Sequence, residues 1–153
     1  MRRARPFILA GIGLAALCGM SSAASASCSA STVGVNFGVY DSQSGVPDDS
    51  TGTVNISCSG EGFFLFPTVS LGTGSSGTYA SRRMRNGANN LQYNLYTDSA
   101  RATVWGNGSG GSSTQNVIIF FGSGSRTIYG RIPTGQSVNA GTYSDTLVVT
   151  VEY

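Results

Sequence analysis

Apolar residues recur at every second position along most of the chain, and each such run breaks at a cluster of Gly, Ser, Asn or Asp. Thr32 to Tyr40 alternates Val33, Val35, Phe37 and Val39, which predicts a half-buried strand. Thr53 to Ser59 places Val54, Ile56 and Cys58 on one side, predicting a second strand with Cys58 toward the core. Phe63 to Leu71 predicts a third, with Pro67 marking an edge or bulge because proline cannot donate to a ladder. Leu91, Tyr93 and Leu95 define another strand, and Thr103–Trp105, Val117–Phe121 and Thr127–Ile132 add shorter ones. Leu147, Val149 and Val151 alternate through the last run, which reaches Tyr153. No segment has helical periodicity. Strands about ten residues apart with turns between them describe an all-β sandwich or barrel. Nothing is expected to follow Tyr153 and cover the free edge of that last strand.

The first residues follow a different pattern. Arg2, Arg3 and Arg5 precede an apolar run from Phe7 to Met20, and small residues lead to Ala24-Ser25-Ala26. This order describes a secretory signal peptide over 1–26, leaving a single domain over 27–153. Export changes the charge: of the nine Arg, six remain against seven acids, a net of −1 in place of +2. No electrostatic partner such as nucleic acid is expected.

The chain contains no histidine. That excludes Ser-His-Asp and Cys-His catalysis and the commonest zinc and copper ligand sets. Neither a catalytic residue nor a cofactor, metal or small-molecule substrate is expected. Cys28 and Cys58 alone survive processing; in an exported chain they read as a disulfide rather than as two structural thiols. Closing the chain between them contributes about 3–4 kcal/mol in the chain-entropy account.

Several motifs invite a functional reading. Gly72-Thr73-Gly74-Ser75-Ser76-Gly77 matches G-x-G-x-x-G, but no helix follows it, so a flexible hairpin loop is expected. Arg82, Arg83 and Arg85 read as a solvated strand face leading into a tight turn at Asn86-Gly87, and Asp48-Asp49 as a solvated turn. Asn107-Gly108-Ser109 fits the N-glycosylation pattern in a Gly-rich loop. Phe63, Phe64, Leu65 and Phe66 are consecutive apolar residues; alternation buries one set and leaves the other as a candidate exposed patch, and Phe120-Phe121 poses the same question.

Longer motifs carry a family resemblance. Leu91-Gln92-Tyr93-Asn94-Leu95-Tyr96-Thr97-Asp98 followed by Val104-Trp105-Gly106-Asn107-Gly108 resembles the core of the spore coat protein U domain. Tyr129-Gly130-Arg131-Ile132-Pro133-Thr134-Gly135-Gln136 and the stretch from Gly141 to Val151 resemble two further motifs of that family, in the same order. The resemblance implies an immunoglobulin-like β-sandwich that lacks its last strand, as in archaic chaperone–usher pilus subunits. It implies attachment and biofilm formation as the role, with a periplasmic chaperone, an outer-membrane usher and neighbouring pilus subunits as partners. It implies passage through the periplasm to the cell surface. The groove for the missing strand is then expected along Val33, Val35, Phe37, Leu147, Val149 and Val151, with Tyr143 near the corner. Only Ser27 would precede Cys28 in the processed chain, so the domain is expected to accept a strand and not to donate one, which suits a terminal or tip subunit. A self-contained secreted coat or matrix protein, or a surface-binding module, is the alternative.

Overall fold

The computed structural model describes residues 27–59 and 64–153. Among these residues ten strands form two sheets, and one short 3-10 turn lies outside them. The strands are β1 (Ser27–Val33), β2 (Asp48–Ser59), β3 (Phe64–Leu65), β4 (Thr68–Leu71), β5 (Arg82–Asn86), β6 (Asn89–Tyr96), β7 (Gln115–Asn116), β8 (Ile119–Phe120), β9 (Ser123–Ile132) and β10 (Val149–Glu152). The larger sheet runs β1-β2-β9-β6-β5, with β8 joining β9 to β3; the smaller runs β10-β4-β7. The pairs between these strands are antiparallel. The result is an immunoglobulin-like β-sandwich.

Pro67 explains why one predicted strand became two. It lacks an amide hydrogen, so the run Phe64–Leu71 cannot continue one ladder. The chain leaves the larger sheet at Leu65 and enters the smaller at Thr68, with Pro67 itself buried. The run from Gln115 to Phe120 makes the same change beside it: Asn116 pairs with Thr68, Ile119 with Leu65. The Val117 amide donates to the Pro67 carbonyl at 2.9 Å, which fixes this corner.

The core holds Val54 and Ile56 from β2, Val69 and Leu71 from β4, Leu91, Tyr93 and Leu95 from β6, and Ile128 and Ile132 from β9. Trp105 is fully buried among them, and its indole N–H donates to the Val69 carbonyl at 3.0 Å. Cys28 and Cys58 stand opposite each other in the β1–β2 register and form a disulfide.

The predicted single alternation from Thr32 to Tyr40 is corrected. β1 begins at Ser27 and ends at Val33, and its register sets Cys28, Ala30 and Thr32 opposite Cys58, Ile56 and Val54. Directly opposed residues share a face of the sheet, so the even-numbered residues face inward and Val33 outward, 62% exposed. After Gly34 the chain leaves the ladder, and the inward parity passes to Val35 and Phe37. Glycines make room for them. A side chain on Gly130 would meet Phe37 and Val35 at 2.7 Å, and one on Gly52 would meet the Val33 carbonyl at 2.6 Å.

Asp48 and Asp49 begin β2 instead of forming a solvated turn. Asp49 sits opposite Arg131 in the ladder and accepts both ends of its guanidinium fork, at 2.7 and 2.8 Å, with Arg101 at 3.1 Å. The Arg131 bond, helped by Arg101, holds the Asp49 carboxyl below its usual range. Asp48 moves the other way: burial first, then the Asp49 charge, raise its pKa, and one of its oxygens is buried without a hydrogen-bond partner. The two neighbours therefore have opposite linkage. Asp49 contributes stability above the ordinary carboxylate pKa of about 4, lost as pH falls through its depressed value. Asp48 opposes folding while ionised, and that cost is relieved as pH falls through its raised value. Asp49→Asn should lower the urea midpoint at neutral pH and converge with the parent in acid. Asp48→Asn should leave the neutral midpoint unchanged or raise it.

Candidate functional site

Two extended segments face each other across an opening in the sandwich. One is Gly34–Tyr40, continuing β1; the other is Tyr143–Val148, leading into β10. Along the second, Tyr143, Asp145, Leu147, Val149 and Val151 alternate as half-buried residues, with Ser144, Thr146, Val148, Thr150 and Glu152 exposed between them. β10 pairs with β4 on one side. Among the described residues no strand pairs with its other side. The two walls enclose adjoining cavities of about 350 and 670 Å³ that share Val35, Phe37, Met84 and Tyr143. The smaller is floored by Leu71, Tyr93, Leu95 and Ile128 and bounded by Leu147 and Val149; the larger reaches Tyr40, Leu91, Ile132 and Val138.

Of the residues expected along a groove, Val35, Phe37, Tyr143, Leu147 and Val149 line these cavities. Val151 packs half-buried against the core one step beyond. Val33 lies on the opposite face of β1. Thr32 takes the place expected of it, a residue whose polarity gave no cue.

The walls are held by polar contacts. Phe37 meets Tyr93 edge to face, ring centroids 6.0 Å apart. The Tyr93 hydroxyl donates to Asp145 at 2.8 Å; burial, with this bond, pushes the phenol well above its usual pKa. Asp145 also accepts from the Ser75 amide at 2.9 Å and from its neighbour Thr146 at 3.0 Å. The Gly-rich motif is therefore an ordered 3-10 turn, Gly74–Ser76, wrapped on a carboxylate, and not a flexible loop. Gly74 has φ +62°, and a side chain there would collide with Asp145. Glycine is required on both counts.

Behind the turn lies a feature opposite to expectation. Arg82 is fully buried, not on a solvated face. Its guanidinium donates to the Gly72 carbonyl at 2.9 and 3.0 Å, to the Trp105 carbonyl at 2.6 Å and to Asn94 Oδ1 at 2.7 Å. It also lies 5.3 Å from the centre of the Tyr79 ring. Asn94 donates in turn to the Tyr79 carbonyl at 2.9 Å. Burial lowers the arginine pKa, while the surrounding acceptors keep the cation in place.

A second surface lies at the sheet-switching corner. Phe64 and Phe120 are opposed across β3–β8, ring centroids 4.8 Å apart, and Phe121 stacks edge-on to Phe120 at 4.1 Å. Phe64 is 58% and Phe66 63% exposed, and Ile118, Phe120 and Phe121 are exposed as well. Leu65 is half-buried on the inward side. Phe63, like the predicted signal peptide, lies outside the described residues.

The profile of the Spore Coat Protein U domain matches residues 14–150. The chain belongs to the Spore Coat Protein U domain family. Protein U of Myxococcus xanthus is 36% identical, over 78% of this chain and 71% of its own. Among solved structures, this Spore Coat Protein U domain is similar to a chain in the CsuC–CsuE chaperone–tip adhesion subunit pre-assembly complex from the archaic chaperone–usher Csu pili of Acinetobacter baumannii. The TM-score is 0.59 and the identity 25%; the match covers 84% of this chain and spans 40% of that one.

Proposed function

We propose that this Spore Coat Protein U domain is an exported pilus-type subunit whose groove accepts an extended strand, first from a periplasmic chaperone and then from a neighbouring subunit. The observation that carries this reading is the unpaired side of β10 beside the half-buried row Leu147, Val149 and Val151, facing Val35 and Phe37. An added strand would pair with the backbone of β10 and set alternate side chains between the walls, which is β-augmentation. Residues 1–26 then serve as the secretion signal, the usher is the assembly platform, and the assembled protein stands on the cell surface in attachment and biofilm formation. Cleavage near Ala26 would leave it at the terminus or tip of a fibre.

The test is expression of the chain in a periplasm with and without a matching pilus chaperone. Accumulation only as a one-to-one complex is the expected result. A monomer that is stable alone and unfolds cooperatively at high urea would overturn the reading and favour a self-contained secreted coat protein. A second reading, a surface-binding module, is favoured by the aromatic corner of Phe64, Phe66 and Phe120. It requires that Phe64→Ser with Phe120→Ser abolish surface attachment while the fold survives.

A further inference from the structure

Two places in the described chain put glycine directly after asparagine: Asn86-Gly87 and Asn107-Gly108. The backbone nitrogen that follows an asparagine can attack the side-chain amide carbon, and the next residue's side chain ordinarily obstructs that approach. Glycine has none. What separates the two sites is their setting.

Asn86 closes the β5–β6 hairpin opposite Asn89, and its carbonyl accepts from the Asn89 side-chain Nδ2 at 3.3 Å. It is half-buried, and its own side-chain amide packs against Gly141. Turning this peptide toward its own side chain breaks the pair that closes the hairpin. Asn107 lies outside the strands and is exposed. Its Oδ1 accepts from the Ser109 amide at 3.0 Å and from the Ser109 hydroxyl at 2.6 Å. Both bonds fall on the oxygen, drawing electron density from Cγ, and neither holds the nitrogen that must leave. Gly108 has φ +86°, and no heavy atom stands within 4 Å of where a side chain would project.

We propose that Asn107 is a site of spontaneous deamidation in the folded protein. The Gly108 nitrogen loses its proton to solvent base and bonds to Asn107 Cγ, giving a five-membered imide. The Cγ–Nδ2 bond breaks, and ammonia leaves with a proton from solvent. Water then opens the imide at either carbonyl, leaving aspartate or isoaspartate. One water is consumed and one ammonia released, with no change of oxidation state. Aspartate keeps the acceptor oxygens that Ser109 uses. Isoaspartate instead lengthens the main chain inside a loop pinned by Gly106 N–H to Ser113 at 2.8 Å and Ser112 N–H to Ser109 at 3.0 Å. Gly106 packs against Ser112 and Tyr79, so the added backbone atom disturbs the cover over the Tyr79–Arg82 contact.

The test is mass-spectrometric peptide mapping of the purified full chain, with its chaperone if it requires one, during incubation in mildly alkaline and mildly acidic buffer. A parallel sample is kept in urea. In the folded protein Asn107 should convert about tenfold or more faster than Asn86, which reacts only when its hairpin opens. Conversion should be faster in alkali, and in urea the two sites should react at similar rates. Ser109→Ala should slow Asn107 in the folded protein and not in urea. Equal rates in the folded state, earlier reaction of Asn86, an unmodified Asn107, or no response to Ser109→Ala would each overturn the proposal.

Discussion

Arg82→Met is expected to cost about 2–5 kcal/mol of folding stability, through the buried acceptors it leaves without a donor. The reason lies in what remains. The buried Gly72 and Trp105 carbonyls accept from the guanidinium, whereas Asn94 Oδ1 accepts from it and also from the Leu95 amide at 3.0 Å. Methionine fills a similar volume but leaves the two carbonyls without a donor, at about 1–3 kcal/mol each before relaxation. Arg82→Lys should recover little, because one ammonium cannot reproduce a planar fork that reaches three acceptors. The readout is urea unfolding of the protein in whatever state it is isolated. A loss under about 1 kcal/mol for the methionine variant would mean that water reaches this site and that the network does not organise the fold.

The second large effect concerns binding instead of folding. Val149→Lys places a charge on the groove wall, where Val149 is half-exposed while the groove is open. The ammonium can bend toward water in the free protein, so stability should change by less than about 1 kcal/mol. An occupying strand would bury that charge without a partner, a cost of several kcal/mol. Affinity for a chaperone or a donor peptide should then fall about a hundredfold or more, since 1.4 kcal/mol is tenfold. Thr150→Lys is the control: it lies one residue on, faces out, and should leave both properties unchanged. If the two lysines weaken capture equally, strand insertion between these walls is the wrong mechanism.

How legible these features were depends on what each residue answers to. Val54 with Ile56, and Leu91 with Tyr93 and Leu95, alternate because each strand has one face in the core, and their strands stand where the pattern put them. β1 was displaced because its inward row is Cys28, tied to Cys58, followed by the exposed Ala30 and Thr32, so it holds no large apolar side chain to mark an alternation. The change of parity at Gly34 is a backbone event that a one-face reading carries straight past. β9 was foreshortened because Ser123–Ser125 look like a turn, yet they complete the ladder with β2.

Arg82 was misplaced because charge patterning takes a cluster of arginines to be solvated. One cue was present: Tyr93, Asn94 and Leu95 are all buried, and a polar residue inside an apolar run needs a polar partner in the interior. The Gly72–Gly77 motif likewise had a reading that required no ligand, namely close approach to a carboxylate, but Asp145 is too distant in sequence to suggest it. The walls of the opening were largely visible, because Val35, Phe37, Leu147 and Val149 carry the same periodicity as core residues.

The central ladder of the larger sheet joins β2 to β9, with residues 60–122 intervening, in a continuous register from Asp48–Ile132 to Ser57–Ser123. A chain delivered from its N-terminus therefore presents β2 long before the strand it needs has emerged. Through that interval β2 has β1 on one side and an open edge on the other, and contacts so far apart in sequence form slowly once both halves are available. Incomplete β-sheet chains with open edges are the species that aggregate. The waiting time built into this strand order makes yield depend on how fast the second half arrives, independently of how stable the finished domain is.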